Sequence, residues 1–209
     1  MHRLLRGDAP DCLGQYHHGL QNWSHVTPND KAEIWRELDA MQGQRCAYCE
    51  ADSSNGKKHI EHFRQKDCDP SKTFDWRNLF GSCDRETSCG KHKDRYPRYN
   101  PDDLIKPDEE DPEYFFLFVS DGTIAIRERL NADDKRRAEV TLLAFNLGVL
   151  RQTRFAIVRG YIQQAEEFQK MAAEFPEEDW QPLLQQELKA IAHLPFATAI
   201  KHTLSSFLE

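Results

Sequence analysis

The sequence contains no long apolar run, no internal repeat and no low-complexity tract. No stretch approaches the roughly 20 apolar residues that a membrane-spanning helix needs. The first eight residues have a basic start, but their apolar run is only two residues long, which does not fit a signal peptide. We therefore expect a cytoplasmic chain that does not associate with membranes. In that compartment thiols stay reduced, and paired cysteines bind metal more often than they form disulfides.

An overall basic charge is also missing. The formal net charge is −7 over 209 residues, which argues against a protein that coats nucleic acid non-specifically, since such binding depends on neutralising phosphates. The charge is uneven, however. Residues 57–100 carry 11 Lys and Arg against 7 Asp and Glu, whereas residues 102–113 carry 7 acids and one lysine. The sequence thus predicts a basic core region that can contact phosphates, flanked by acidic surfaces.

Helix and strand signals predict an α+β fold in two parts, residues 1–101 and 102–209. In the first part, Thr27 followed by Pro28 is typical of a helix start, and Gly43 of its end. A short run over 58–63 predicts a strand that ends at a Glu-His pair. The second part predicts an acidic connector over 102–113 and a hairpin over 114–126 with its turn at 120–122. Helices are then predicted over 131–146, 149–173 and 178–192, followed by a short last helix after residue 195.

Four of the six cysteines form two nearby pairs, Cys46 with Cys49 and Cys83 with Cys89. Two such pairs are typical of a closed tetrahedral zinc site, and no βαβ pattern surrounds them to favour a redox role. The gap between Cys83 and Cys89 is longer than usual, so Cys68 stays open as a replacement for one of them. Cys12, and otherwise Cys68, are expected to be free thiols.

Polar residues of another kind are interleaved with these cysteines: the Glu61-His62 pair, Asn78 and His92. A carboxylate beside a histidine, with a second histidine downstream, suits hydrolysis at a hard metal ion. A zinc ribbon that only binds a partner or nucleic acid, without catalysis, has no need for these polar residues. The region therefore favours a zinc-stapled hydrolytic core.

The order of these motifs resembles the HNH endonucleases, which have a ββα-metal core. More closely, it resembles the PtuB-type HNH subunit of the Septu and retron-associated anti-phage systems. The matching motifs are Cys46-Ala-Tyr-Cys49-Glu50, Ile60-Glu61-His62-Phe63-Arg64, Asp75-Trp76-x-Asn78-Leu79-Phe80 and Cys89-Gly90. Downstream, Phe118-x-x-Asp121-Gly122-Thr123-Ile124 and residues 142–154 also resemble that family.

The resemblance implies a role for each polar residue. His62 is expected to be the general base, and Glu61 and His92 to bind one Mg²⁺ or other divalent cation, with Asp94 as the alternative to His92. Asn78 is expected to brace the loop that carries His62. His59 is expected to be an auxiliary ligand or a phosphate contact. Adjacent strand residues point to opposite faces, so Glu61 and His62 can share a metal ion only if the strand is kinked there.

The resemblance further implies a nuclease that acts as the effector of an anti-phage complex. Its expected partner is a PtuA-like ATPase, and a retron reverse transcriptase with its msDNA is a further candidate partner. The predicted substrate is DNA or an RNA such as a tRNA, and no aromatic array for stacking bases is evident in the sequence. Residues 102–209 are expected to form a docking platform that is separable from the zinc-bound core. The alternative is a non-catalytic zinc-ribbon adaptor that binds the ATPase or nucleic acid.

Overall fold

Two small antiparallel sheets and a set of α-helices make up a mixed α/β fold. The computed structural model describes residues 1–97 and 99–208, so that Arg98 and Glu209 lie outside the described residues. The elements are α1 (Pro28–Gln42), β1 (Lys58–His62), β2 (Leu79–Cys83), α2 (Cys89–Arg95), α3 (Pro112–Phe115), β3 (Phe116–Phe118), β4 (Ile124–Ile126), α4 (Ala132–Ala144), α5 (Arg151–Val158), α6 (Ile162–Glu174), α7 (Glu177–Ile191) and α8 (Ala197–Leu204).

Helix α1 confirms the prediction from its capping residues. The Thr27 hydroxyl accepts a hydrogen bond from the backbone N–H of Asp30, and Gly43 ends the helix with a φ of 60°, in the left-handed region that glycine tolerates. The inner face of the helix buries Ile34 and Leu38 in a cluster that includes Leu79 of β2. This packing fixes the helix against the strand pair that carries the candidate site.

Strands β1 and β2 pair antiparallel, with His62 opposite Leu79 and Lys58 opposite Cys83. Helix α2 follows β2, giving the order strand, strand, helix. The backbone N–H of Gly90 in α2 donates to the Ser82 hydroxyl, which ties the helix to the strand. Residues 63–78 form the loop that connects β1 to β2, and this loop folds back over the end of the sheet.

The second half of the chain departs from two predictions. The expected strand over 114–119 begins instead as the helical turn α3, because Asp111 caps it by accepting a hydrogen bond from the N–H of Glu113. The expected continuous helix over 149–173 is divided into α5 and α6 by a 3-10 turn at Arg159–Tyr161. Gly160 lies in that turn, and glycine weakens a helix interior.

One hydrophobic core contains residues from both predicted parts of the chain. Tyr48 stacks on Phe145 with ring centroids 4.1 Å apart, and the N–H of Cys89 donates to the Phe145 carbonyl. The N–H of Phe196 donates to the Glu50 carbonyl at 3.0 Å. The segment after residue 101 therefore packs directly on the cysteine region. Within the described part of the chain, every helix is too short or too polar to cross a membrane.

Candidate functional site

The four paired cysteines converge on one buried point. The Sγ atoms of Cys46, Cys49, Cys83 and Cys89 all lie within 4.8 Å of one another, and those of Cys49 and Cys83 are 3.9 Å apart. Zinc–sulfur bonds of 2.3 Å in a tetrahedron require sulfur separations of about 3.8 Å. None of the four is in a disulfide. These residues fit a four-coordinate metal ion, and the prediction of a four-cysteine group that could hold one is confirmed.

The other two cysteines lie outside this group. Cys68 is exposed and its thiol contacts Gln65, so it does not replace Cys83 or Cys89. Cys12 packs beside α1, and burial raises the pKa of its thiol to about 11. The long gap between Cys83 and Cys89 is absorbed by the turn from β2 into α2. Both cysteines thus reach the cluster.

The electrostatics of the four thiols favour a cation. Burial on its own raises the pKa of Cys46, but hydrogen bonds from the three neighbouring thiols outweigh it and hold the pKa of Cys46 well below its ordinary value. Hydrogen bonding with Cys46 first, then with Cys83, together with burial, holds the pKa of Cys49 and of Cys89 well above the ordinary value of a thiol. One thiolate is thus stabilised at the expense of its neighbours. A metal ion at the centre stabilises all four thiolates at once.

Backbone conformation near the cluster is unusual. Glu50 and Cys89 have φ angles of 62° and 58°, in the left-handed region that residues other than glycine rarely adopt. The Cys89 N–H is held by the Phe145 carbonyl at 2.8 Å, and the Glu50 N–H by the Cys46 carbonyl at 2.9 Å. Such conformations persist where surrounding contacts over-determine them, commonly at functional sites.

His62 lies at the end of β1 and is 4% exposed. Its Nε2 is 3.0 Å from the carbonyl oxygen of Thr73. Because a carbonyl oxygen only accepts hydrogen bonds, Nε2 carries the proton and Nδ1 keeps a free lone pair. Burial, followed by the positive charge of Lys66, lowers the pKa of His62 to about 3. The ring is therefore neutral near pH 7, and a nearby phosphate anion would raise its pKa towards the range of a general base.

Asn78 makes the bracing hydrogen bonds that the sequence predicted. Its Oδ1 accepts from the N–H of Arg64 at 2.7 Å, and its Nδ2 donates to the carbonyls of Arg64 and Lys72 at 3.0 Å each. These bonds close the 63–78 loop at both ends. The loop carries Thr73, which orients His62.

Glu61 faces away from His62 and forms an ion pair with Lys93. Its Oε1 lies 2.5 Å from the ammonium of Lys93, which is fully buried. That ammonium also donates to the carbonyl oxygens of His62 and Phe63, at 2.6 and 3.1 Å. Burial raises the pKa of Glu61, but Lys93 and His59 together hold it below its ordinary value. A Cβ at Gly90 would overlap the Glu61 carboxylate, so α2 packs directly on this ion pair.

The expectation that Glu61 and His92 bind one cation is not supported by this geometry. Strand β1 stays extended through His62, without the kink that would bring Glu61 and His62 to one side. The Nδ1 of His92 is 2.8 Å from the Ala144 carbonyl of α4. His59 lies between Glu61 and Asp84, on the face of β1 away from His62. Among the described residues, the four cysteines are the only group of three or more potential ligands brought together.

His62 opens instead onto a small cavity of about 180 Å³. The cavity is also lined by Gln65, Lys66, Asp67 and Asp94. Asp94, the alternative to His92, is thus the α2 residue that shares a cavity with His62. Lys93 and Thr73 had no sequence signal, because their roles depend on backbone carbonyls that only the folded loop presents.

Searches against known protein families and curated proteins find no match to this chain.

Proposed function

We propose that this protein is an HNH-type endonuclease that hydrolyses nucleic acid phosphodiesters, with His62 as general base. The observation that carries the proposal is the state of His62. Its tautomer is set by the Thr73 carbonyl, its ring is neutral, and it lines an open cavity that holds both a lysine and carboxylates. Hydrolysis of a phosphodiester needs a positioned base and a charge that stabilises the phosphate, and this cavity supplies both.

In this proposal, the Nδ1 atom of His62 accepts the proton of the attacking water. Lys66 attracts the phosphate to the cavity, and Lys93 holds the His62 backbone through its carbonyl oxygen. A catalytic Mg²⁺ or similar cation would be held by Asp94 and Asp67 together with the substrate phosphate, since such ions are commonly bound by one or two carboxylates and phosphates. That ion would stabilise the leaving oxygen.

The four cysteines are proposed to bind structural Zn²⁺. The ion would join the turn after α1 to β2 and α2, and so hold both the strand pair and the helix around His62 and Asp94. A closed site with four thiolates leaves no open position for substrate, which suits a structural role.

The resemblance to PtuB-type subunits extends this proposal to a cytoplasmic anti-phage complex. The expected partner is a PtuA-like ATPase, with a retron reverse transcriptase and its msDNA as a further candidate. The net charge of −7 supports the need for a partner, because the chain alone has little attraction for polyphosphate beyond its basic region.

The test is cleavage of labelled DNA and total RNA by the full chain, with and without Mg²⁺, comparing His62→Ala with a control, His193→Ala. His193 is exposed and lies near the C-terminus. We expect His62→Ala to lose cleavage at least 100-fold, in line with loss of a general base, while keeping its zinc content. Cleavage retained by His62→Ala would contradict the proposal and favour the non-catalytic zinc adaptor.

A further inference from the structure

Three aromatic rings lie together beside His62. Tyr16 and Phe74 are stacked with ring centroids 5.2 Å apart and planes 21° from parallel. Trp23 and Phe74 are 6.3 Å apart at 29°. Trp23 also contacts the candidate base His62 edge to face, with ring centroids 4.5 Å apart and ring planes at 88°. We refer to Tyr16, Phe74 and Trp23 as the aromatic ladder.

The ladder is held in place from two directions. The Tyr16 hydroxyl donates to the Asp30 carboxylate at 2.6 Å, and Trp23 begins a turn capped by the Asn22 side chain. Phe74 follows Thr73, whose carbonyl orients His62. On the inner side the rings pack against the smaller hydrophobic cluster, yet each of the three remains partly exposed. The rings are thus both anchored and accessible.

A cation accompanies the rings. Lys66 is exposed and lines the cavity onto which His62 opens. Among the described residues, the Lys66 side chain makes no ion pair or hydrogen bond. Accessible aromatic rings in contact with His62 and an unpaired cation lining the cavity of the same residue are the two features with which proteins hold single-stranded nucleic acid, since phosphates meet the charge and bases stack on the rings.

We infer that the aromatic ladder stacks an unpaired base of the nucleotide next to the scissile phosphate. This inference rests on the proposed nuclease function and names its substrate class as single-stranded DNA or RNA, or an unpaired segment of either. In a duplex each base is already stacked and paired, so it reaches the ladder only at the cost of being extruded. Stacking also tolerates every base, so the ladder selects unpaired structure and not sequence.

The experiment measures binding of the full chain by fluorescence anisotropy without added divalent cation. The probes are a fluorescein-labelled oligothymidylate strand, an abasic strand of equal length, and a matched duplex, with oligouridylate as the RNA arm. Trp23→Leu keeps an apolar side chain but removes the stacking ring. We expect it to weaken binding of the thymidylate or uridylate strand by roughly 5- to 100-fold, the range of one base–aromatic stack, and to leave the abasic strand unchanged. Trp23→Phe should restore most of the affinity.

The abasic strand separates stacking from general damage to the fold. If Trp23→Leu weakens the abasic strand as much as the thymidylate and uridylate strands, the ring serves packing only and the inference is overturned. It is also overturned if the duplex binds as tightly as the single strand. Wild-type cleavage combined with unchanged binding by Trp23→Leu would reject the ladder and leave the nuclease proposal standing. Absence of single-strand binding by the wild-type chain would overturn the ladder, whereas the nuclease proposal is judged separately by the cleavage comparison of His62→Ala.

Discussion

Lys93 illustrates how a single buried side chain can hold the backbone around a candidate site. Its ammonium is fully buried, where an isolated charge costs several kcal/mol even after relaxation. Glu61 offsets that cost, Asp94 is a second carboxylate 3.2 Å from the ammonium, and the carbonyls of His62 and Phe63 accept its hydrogen bonds. The Lys93 ammonium thereby fixes the backbone carbonyls of His62 and of the residue that follows it.

This arrangement predicts strong coupling between Lys93 and Glu61. Lys93→Met leaves the buried Glu61 carboxylate with only the His59 ring beside it, so we expect a loss of about 3–5 kcal/mol in the free energy of unfolding. Glu61→Gln should cost a similar amount. The double variant should lose much less than the sum, and urea unfolding in a double-mutant cycle measures the difference. Additive losses would show that the two groups do not depend on each other.

His62 predicts a pH dependence of stability. Its folded pKa of about 3 lies below the ordinary value of 6.5, so the unfolded chain takes up this proton first as the pH falls. The contribution of neutral His62 is therefore complete above about pH 6.5 and declines as the pH falls towards 3.

We expect His62→Leu to remove about 2–3 kcal/mol of the stability lost between about pH 7 and about pH 4.5. Urea unfolding over a series of pH values measures this, with His193→Ala as the control that should follow the wild type. A His62→Leu profile parallel to the wild type would contradict the buried, neutral state of this histidine.

At the scale of elements, the sequence correctly predicted features that depend on neighbouring residues, such as the ends of a helix. The Thr27 cap and the terminal Gly43 define α1. The two cysteine pairs lie close together because the antiparallel pairing of β1 and β2 brings the chain back to the first pair. The sequence missed the break at Gly160, where a glycine in an amphipathic pattern gave no clear stop. It also missed the aromatic ladder, whose rings come from residues far apart in the chain.

The geometry does not support the assignment of Glu61 and His92 to one cation, for a related reason. Sequence spacing places polar residues near one another, but it does not say which face of a strand each occupies. In the structure β1 alternates regularly, so that Glu61 meets Lys93 of α2 while His62 faces the loop. His92 instead contacts Ala144 at the end of α4, a residue 52 positions further along the chain.

The cysteine cluster predicts that the elements around it depend on metal. Cys49→Ser removes one of four thiolates, and structural zinc in such sites contributes about 10–16 kcal/mol of binding free energy, comparable with the whole stability of a domain. We expect the variant to lose its zinc and the cooperative unfolding of residues 46–93. Metal analysis and thermal unfolding measure this, and Cys68→Ser, an exposed cysteine outside the cluster, is the matched control. A wild-type protein without zinc when purified reduced would contradict the assignment.

At the scale of the whole molecule, the predicted nuclease core and the predicted docking platform share one hydrophobic core. Thr198 of α8 donates its N–H to the Glu50 carboxylate, directly after the first cysteine pair. Tyr48, between the two cysteines of that pair, stacks on Phe145 after α4. Removing residues 102–209 would expose these surfaces, so we expect that the truncated chain would not keep a stable zinc-bound core. A partner that docks on the C-terminal helices would instead act on the zinc region through direct packing.

Phe145 tests this coupling without truncation. It is fully buried between Tyr48 and Phe63, and its carbonyl holds the strained Cys89. Phe145→Ala should therefore cost about 3–5 kcal/mol of unfolding free energy, as large-to-small substitutions of core aromatics do. Hydrogen exchange should show loss of protection in residues 46–93 as well as in α4, because both lose the same packing partner. Leu143→Ala, at an exposed position two residues earlier, is the matched control and should change neither. Faster exchange confined to α4 and its neighbours in the second half would show that the two parts of the chain are stabilised independently.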